Sequence, residues 1–160
     1  MAFSEKRGKF GEEFEELILN DLRNRGLKVC WMKNDLKNWN YYLDSQYGDI
    51  CLNNNIYIDI KRTKQISIKS LMNFRGYYFI LGPRDMDLKG TYVIKSKIIK
   101  KLYKDFSSPV IMKSGDKGIK IHLGKITKKI KYLKWAENIE RILKVNNEQK
   151  NISETPCPQC

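Results

Sequence analysis

Apolar side chains recur at spacings of three and four along the first part of this chain, which is the pattern of one face of an amphipathic helix. The pattern begins at Phe10, and Arg23 and Arg25 fall in its last turn. Gly26 follows in the position that commonly ends a helix. The sequence therefore predicts a helix of about 16 to 20 residues near its start.

Between residues 48 and 61 the pattern changes to a period of two, which is typical of a β-hairpin. Three asparagines at 53–55 separate two short runs, and asparagine tolerates the left-handed backbone of a tight turn. If Leu52 pairs with Ile56 across this turn, Asp49 lies opposite Asp59. Lys61 then follows on the same face as Asp59. Like charges directly opposite each other are destabilising, so this face calls for a compensating cation.

Shorter patterns predict the remaining elements. We expect strands at 27–32, 77–81, 91–94, 109–112 and 119–123, and a polar, aromatic-bearing loop at 33–46. A basic helix is expected at 95–103, with buried side chains at Ile98, Ile99 and Leu102. A last helix is expected from the helical spacing of Tyr132, Trp135, Ile139, Ile142 and Leu143. These alternating helices and strands predict an α/β domain, with a mixed β-sheet flanked by helices.

The end of the chain has a different composition. From residue 146 onward polar residues dominate, so we expect one domain at 1–145 and a flexible tail at 146–160. Cys157 and Cys160 end this tail with the spacing of half a zinc site, whereas tetrahedral Zn²⁺ needs four ligands. Two interpretations stay open, a Zn²⁺ shared with a second chain or a partner and a pair of cysteines that binds no metal.

The length and the composition exclude several classes of protein. A chain of 160 residues with 41% hydrophobic residues is large enough for one packed core, so a disordered or fibrous chain is not expected. No apolar run approaches the roughly 18 residues that a membrane span needs, and the first nine residues are too polar for a signal peptide. We expect a soluble intracellular protein without a membrane partner, either cytoplasmic or, if so encoded, nuclear or virus-associated.

The net charge of +13 is unevenly distributed. Residues 1–60 hold 8 Lys and Arg against 10 Asp and Glu, whereas residues 61–145 hold 22 against 6. Basic side chains that displace counterions from phosphates supply most non-specific affinity for nucleic acid, which is therefore the expected partner. Lys64, Lys69 and Arg75 follow the hairpin and are candidates for contacts with phosphates. The alternative is that these are ordinary solvated side chains.

The acidic face of the predicted hairpin fits one kind of chemistry. Hydrolysis of a phosphodiester needs a divalent cation beside the scissile phosphate and a positioned water. Asp49, Asp59 and the carbonyl of Ile60 are candidate ligands, because Mg²⁺ prefers hard oxygen donors. Lys61 is the candidate that orients or activates the water and offsets the charge developing on the phosphate. The alternative is an exposed ladder of ion pairs on the hairpin.

These residues carry a resemblance to a known family. Gly48-Asp49, followed by Asp59 and Lys61 two residues apart, resembles the motif of the PD-(D/E)xK nuclease superfamily. The resemblance covers residues 8–94 and implies the restriction-endonuclease-like fold, in which a helix precedes a hairpin that carries the metal ligands. Two features depart from the pattern, because Gly48 stands where the motif has proline and because the interval from 26 to 49 is longer than in a compact resolvase.

The first helix resembles one subclass of that superfamily. Residues 11–15 form a Gly-x-x-x-Glu segment on a helix that ends in glycine, which is similar to archaeal-type Holliday junction resolvases. The resemblance implies that Glu15 assists at the metal site. Glu12 and Glu16 stay open as alternatives, since the rotation of the helix is not visible in the sequence.

The family resemblance and the charge together lead to one expected function. It is a DNA endonuclease that depends on Mg²⁺ or Mn²⁺ and acts in DNA recombination or repair, with a Holliday junction as the leading substrate. Enzymes of this kind commonly work as symmetric homodimers, so a homodimer is expected as well. Two alternatives stay open, a restriction or repair endonuclease and a nucleic-acid-binding module without catalytic activity.

Overall fold

The computed structural model describes residues 2–139 and 141, with side chains from residue 11 onward except those of 41 and 42. Within these residues the helices are α1 (Ala2–Asn24), α2 (Met32–Asp35), α3 (Tyr41–Tyr47), α4 (Ile68–Asn73), α5 (Ser96–Phe106) and α6 (Tyr132–Glu137). The strands are β1 (Val29–Trp31), β2 (Ile50–Leu52), β3 (Ile56–Lys61), β4 (Gln65–Ser67), β5 (Tyr78–Leu81), β6 (Tyr92–Lys95), β7 (Ser107–Ile111), β8 (Lys117–Ile121) and β9 (Ile130–Lys131). The chain is a mixed α/β protein, as the sequence predicted.

The described strands form two sheets. The larger sheet has six strands in the order β1-β2-β3-β5-β6-β9 and is mixed, because β3 and β5 run parallel while the other neighbours run antiparallel. The smaller sheet is antiparallel and has the order β4-β8-β7. We expected a single sheet, and this expectation was wrong. β8 pairs with β4, a strand that the sequence did not predict, so β7 and β8 leave the main sheet.

The hairpin has the predicted register. Leu52 pairs with Ile56, and Asn53 and Asn54 between them adopt positive φ angles of 50° and 64°. Asparagine accepts this left-handed backbone more readily than most residues, so the turn chemistry and the strand pattern agree. The register carries Asp59 and Lys61 to the end of β3, beside the start of β2.

The main sheet has an apolar cluster on each face. Tyr78 and Ile80 of β5 pack in a cluster with residues of α1 and α6. Phe79 and Leu81, which alternate with them, pack in a second cluster with residues of α4, α5 and the smaller sheet. Because neighbouring strand residues point to opposite faces, one short strand is covered on both sides. The four consecutive apolar residues of β5 are consistent with burial on both faces.

Helix α1 is longer than predicted, with 23 residues. Its end is as expected, since Gly26 has a φ of 86°, a conformation that suits glycine after a helix. Phe14, Ile18 and Leu22 are fully buried against the sheet. Leu17 is 38% exposed whereas Leu19 is 2% exposed, so the buried face of α1 includes Leu19 and not Leu17.

The segment 33–46 is not the single loop that we predicted, because it contains most of α2 and α3. Asn40 caps α3, and its side chain accepts a hydrogen bond of 3.0 Å from the backbone of Leu43. The ring of Tyr47 packs against Tyr57 of β3, with ring centroids 5.0 Å apart. These contacts with the sheet stabilise α3. The helix is so short that its own sequence carries too little helical pattern to predict it.

Two further predictions need correction. β4 and α4 lie at 65–73, where we predicted no element, and Ser67 caps α4 by accepting a hydrogen bond from Ser70. On α5 the buried residues include Ile99 and Phe106, whereas Leu102 is 37% exposed. The helix extends beyond residue 103, and its buried face is rotated towards Phe106.

The last described helix closes the apolar cluster beside α1. Tyr132, Trp135 and Ile139 are buried as predicted, and the hydroxyl of Tyr132 donates a hydrogen bond of 2.7 Å to Asp21 of α1. The predicted helical positions Ile142 and Leu143, the tail at 146–160 and its cysteines Cys157 and Cys160 lie outside the described residues. Of the helices in the described part of the chain, none combines the length and the apolar character that crossing a bilayer requires.

Candidate active site

Asp49 is buried at the start of the hairpin and is held by backbone groups on both sides. Its own N–H donates to the carbonyl of Ile58 at 2.9 Å, and its Oδ2 accepts a hydrogen bond of 2.7 Å from the N–H of Ile60. The residue is only 6% exposed. These bonds fix the Asp49 carboxylate against the end of β3, next to the residues that the sequence singled out.

Gly48 determines how the chain enters this site. Its φ is 78° and its ψ is −150°, and its N–H donates to the carbonyl of Asp44 at 2.8 Å. A Cβ atom at this position would lie 2.7 Å from the carbonyl oxygen of Ile58. Proline has a φ near −65° and no N–H, so it cannot replace this glycine. The departure from the motif therefore has a local structural cause.

Asp59 and Lys61 lie two residues apart on one face of β3. The Nζ of Lys61 is 3.3 Å from Oδ2 of Asp59, and the exposed fractions of the two side chains are 34% and 12%. Both line a small pocket of 190 Å³. The other lining residues are Asp44, Ser45, Ser70, Phe74 and Phe79. A carboxylate and a cation thus share one concave surface.

Glu15 reaches the site from α1 and is 7% exposed. Its Oε2 accepts a hydrogen bond of 3.2 Å from the indole of Trp31 and lies 2.9 Å from Nζ of Lys33. Lys33 also lies 3.3 Å from the carboxylate of Glu12, which is 55% exposed. Glu16 is exposed to solvent. Among the three glutamates that we considered, Glu15 is the buried one.

The carboxyl groups of the site repel one another. Burial raises the pKa of Asp49 well above its ordinary value, and the charges of Asp59 and Glu15 raise it further. The neighbouring carboxylate of Asp59 raises the pKa of Lys61, which more than offsets the burial of the ammonium group. Lys61 is therefore a cation at neutral pH, and the carboxyl cluster favours any further positive charge that enters it.

Asp44 is a site residue that the sequence analysis missed. It lies on α3 and lines the pocket together with Asp59 and Lys61. Burial raises the pKa of its carboxyl, and the charge of Asp59 adds to the effect. Its Oδ1 accepts a hydrogen bond of 3.3 Å from the indole of Trp39. We had assigned this segment to a loop, and only the packing of α3 on the sheet brings Asp44 to the pocket.

The donors fit a hard divalent cation in type, although they are not preassembled around one point. Mg²⁺ and Mn²⁺ are bound by carboxylate and carbonyl oxygens, and the repulsion among Asp49, Asp59 and Glu15 is the kind that a cation relieves. Within residues 11–139, apart from 41 and 42, no three acidic, histidine or cysteine side chains are grouped at metal-binding distances. Lys33 and the N–H of Ile60 hold two of the carboxylates instead.

The predicted phosphate contacts lie near the pocket in the chain. Lys69 belongs to α4 and is exposed, and it precedes the lining residue Ser70. Arg75 is also exposed, and it follows the lining residue Phe74. Lys64 is half-buried between β3 and β4. None of the three forms an ion pair with a residue whose side chain the structure describes.

Three side chains around the site had no signal in the sequence, namely Trp31, Lys33 and Asp44. Each comes from the segment between α1 and β2, and each acts on a residue that we did predict, because Trp31 and Lys33 hold Glu15 and Asp44 faces Asp59. Their contacts depend on how α1 and α3 pack on the sheet.

Compared with known proteins, this chain matches no protein-family model, no curated protein and no solved structure.

Proposed function

We propose that this chain is a metal-dependent endonuclease that hydrolyses phosphodiester bonds in DNA. The observation that carries the proposal is the pairing of Asp59 with Lys61 at 3.3 Å in a pocket, directly beside the buried Asp49. Paired carboxylates and a lysine on one strand face are the groups that this reaction uses. The basic balance of the later part of the chain supports a polyanionic substrate.

The role of Lys61 follows from its charge. Because Asp59 keeps it protonated, Lys61 acts as a cation that hydrogen-bonds the attacking water and offsets charge developing on the phosphate. It does not act as a general base in this state. Asp59 fixes the ammonium group on the pocket side of β3.

Mg²⁺ or Mn²⁺ is the proposed cofactor, held by Asp49, Asp59 and the carbonyl of Ile60, with Glu15 assisting. When bound, such an ion lowers the pKa of a coordinated water and offsets phosphate charge. The chain's own residues position the ligands, since the N–H of Ile60 orients Asp49. Lys33 offsets the charge of Glu15.

The restriction-endonuclease-like fold and the subclass are parts of this proposal. The hairpin with its leading helix supports that fold, and the buried Glu15 supports a resolvase-type enzyme that cuts a Holliday junction. A homodimer belongs to the proposal because enzymes of this type commonly work as one. A restriction or repair endonuclease uses the same chemistry on a different DNA structure. A non-catalytic binding module would gain nothing from carboxylates that face a phosphate.

The test is cleavage of a panel of labelled DNAs, comprising linear duplex, single strand, flap and four-way junction, in Mg²⁺, Mn²⁺ or EDTA. We expect cleavage that requires the metal and that falls by about 100-fold or more in both Asp59→Asn and Lys61→Met. Glu16→Gln and Lys117→Gln change exposed residues of the same types and are expected to leave cleavage unchanged.

The outcomes separate the alternatives. Preferred cutting of the four-way junction supports the resolvase type, and preferred cutting of duplex supports a restriction or repair enzyme. Tight, salt-sensitive binding of DNA without cutting in either metal would contradict the nuclease and favour the binding module.

A further inference from the structure

A basic cavity lies on α5, apart from the candidate active site. It has a volume of 480 Å³ and is lined by Ser96, Lys97, Lys100 and Lys101. We call these four residues the α5 surface. Three of its four residues are lysines, so the cavity suits an anionic partner rather than a neutral one.

The lysines of the α5 surface are not neutralised by ion pairs with the side chains that the structure describes. None of them forms an ion pair there, although the exposed Asp105 lies on the same helix. Partial burial lowers the pKa of Lys100, and no carboxylate compensates for it. Clustered like charges repel one another, so a bound anion would stabilise this surface.

A direct contact joins the α5 surface to the candidate active site. The Nζ of Lys100 donates a hydrogen bond to the carbonyl of Phe74. Phe74 also lines the pocket that contains Asp59 and Lys61. A lysine of the α5 surface therefore contacts the backbone of a residue that lines the pocket.

The start of α5 is fixed in this position by two further contacts. The N–H of Ser96 donates to the carbonyl of Tyr77 at 2.9 Å, and its buried hydroxyl donates to the carbonyl of Gly76. These bonds join α5 to the connection between α4 and β5, which carries the exposed Arg75. The start of α5 is thus attached to the segment that follows α4.

We propose that the α5 surface binds the sugar-phosphate backbone of the DNA duplex that flanks the scissile phosphate. The proposal rests on the proposed nuclease function and adds the path of the substrate to it. The partner is a regular polyanion, because three lysines without an ion pair, near a pocket that contains Lys61, match a row of phosphates. Contacts of this kind position the substrate and do not read its sequence.

The test compares two double variants of the full chain. Lys97→Gln with Lys101→Gln removes two exposed charges from the α5 surface, while Lys28→Gln with Lys89→Gln removes two exposed charges elsewhere. Lys100 is left intact because its hydrogen bond to Phe74 supports the fold. Binding to a labelled 30-base-pair duplex is measured in EDTA by fluorescence anisotropy over a range of salt concentrations.

We expect the α5 double variant to bind more weakly and to lower the slope of log affinity against log salt by about 1.8, since each duplex phosphate contact contributes about 0.9. The control variant should keep the wild-type slope. Equal slopes in both variants would overturn the proposal. Loss of binding to anionic lipid vesicles with unchanged binding to DNA would also overturn it, in favour of a membrane surface.

The cleavage assay distinguishes this proposal from the nuclease proposal. If the wild type cuts DNA and the α5 variant binds DNA normally, the proposal for the α5 surface is wrong while the nuclease proposal is supported. If the wild type never cuts but the α5 variant loses affinity and slope, the DNA-binding surface stands while the nuclease function fails.

Discussion

The ammonium group of Lys33 lies 2.9 Å from the carboxylate of Glu15, and this ion pair links α2 to the centre of α1. We predict that Lys33→Met lowers the free energy of unfolding in EDTA by about 1 to 3 kcal/mol, because the buried carboxylate of Glu15 then loses its cation and keeps only the indole of Trp31. Removing a cation from the site should also strengthen Mn²⁺ binding. Chemical denaturation with and without Mn²⁺ measures both effects.

The matched control for this prediction is Lys37→Met, which changes an exposed lysine of the same segment. We expect little change in its stability or in the stabilisation by Mn²⁺. If Lys33→Met behaves like this control, the pair with Glu15 contributes nothing to the site.

Asp44 should tune the metal affinity of the site, since its carboxylate faces the pocket beside Asp59. Asp44→Asn is expected to raise the Mg²⁺ concentration for half-maximal cleavage by about 10-fold or more. The stability in EDTA should not fall, because the substitution removes repulsion between two acids. Asp116→Asn, at an exposed position, is the control. An unchanged Mg²⁺ dependence in Asp44→Asn would exclude a role for Asp44 at the site.

The raised pKa of Asp49 predicts how the free energy of unfolding depends on pH when no metal is bound. Its pKa in the folded protein is raised, so between the unfolded pKa of about 3.9 and the higher folded value the folded state binds more protons. Stability therefore falls as pH rises through this window. Asp49→Asn removes this loss and retains an oxygen that can accept the bond from Ile60.

The measurement is the difference in melting temperature between Asp49→Asn and the wild type, in EDTA, from pH 4 to pH 8. The difference should grow in favour of the variant as pH rises. A constant difference would mean that Asp49 does not titrate in this range.

Gly48 should tolerate no side chain. Gly48→Ala is expected to cost about 1 to 3 kcal/mol for its positive φ, with a further cost for the clash of Cβ with the carbonyl of Ile58. Gly115→Ala is a matched control, because its φ is 91° and nothing lies within 4 Å of its Cβ position. The difference in the free energy of unfolding between the two variants measures the extra cost at Gly48, which combines the clash with its ψ of −150°. Equal losses would show that the backbone near Asp49 relaxes freely.

The sequence by itself determined the parts whose cause is local. The period of two and the asparagine turn fixed the register from Leu52 to Ile56, because a shift of one residue would move the isoleucines to the face that holds Tyr57. The period of two also puts Asp59 and Lys61 on one strand face, and the register brings Asp49 beside them. The end of α1 shortly before Gly26 was also predictable, because glycine readily adopts the left-handed backbone that follows many helices.

Only the tertiary structure decided the rest. Helix α3 is too short to form on its own, and its packing on Tyr57 is what brings Asp44 to the pocket. The choice of Glu15 over Glu16 depended on the rotation of α1 against the sheet. β8 lies outside the main sheet because it pairs with β4. In each case the deciding contact joins residues far apart in the chain, and no local pattern records such a contact.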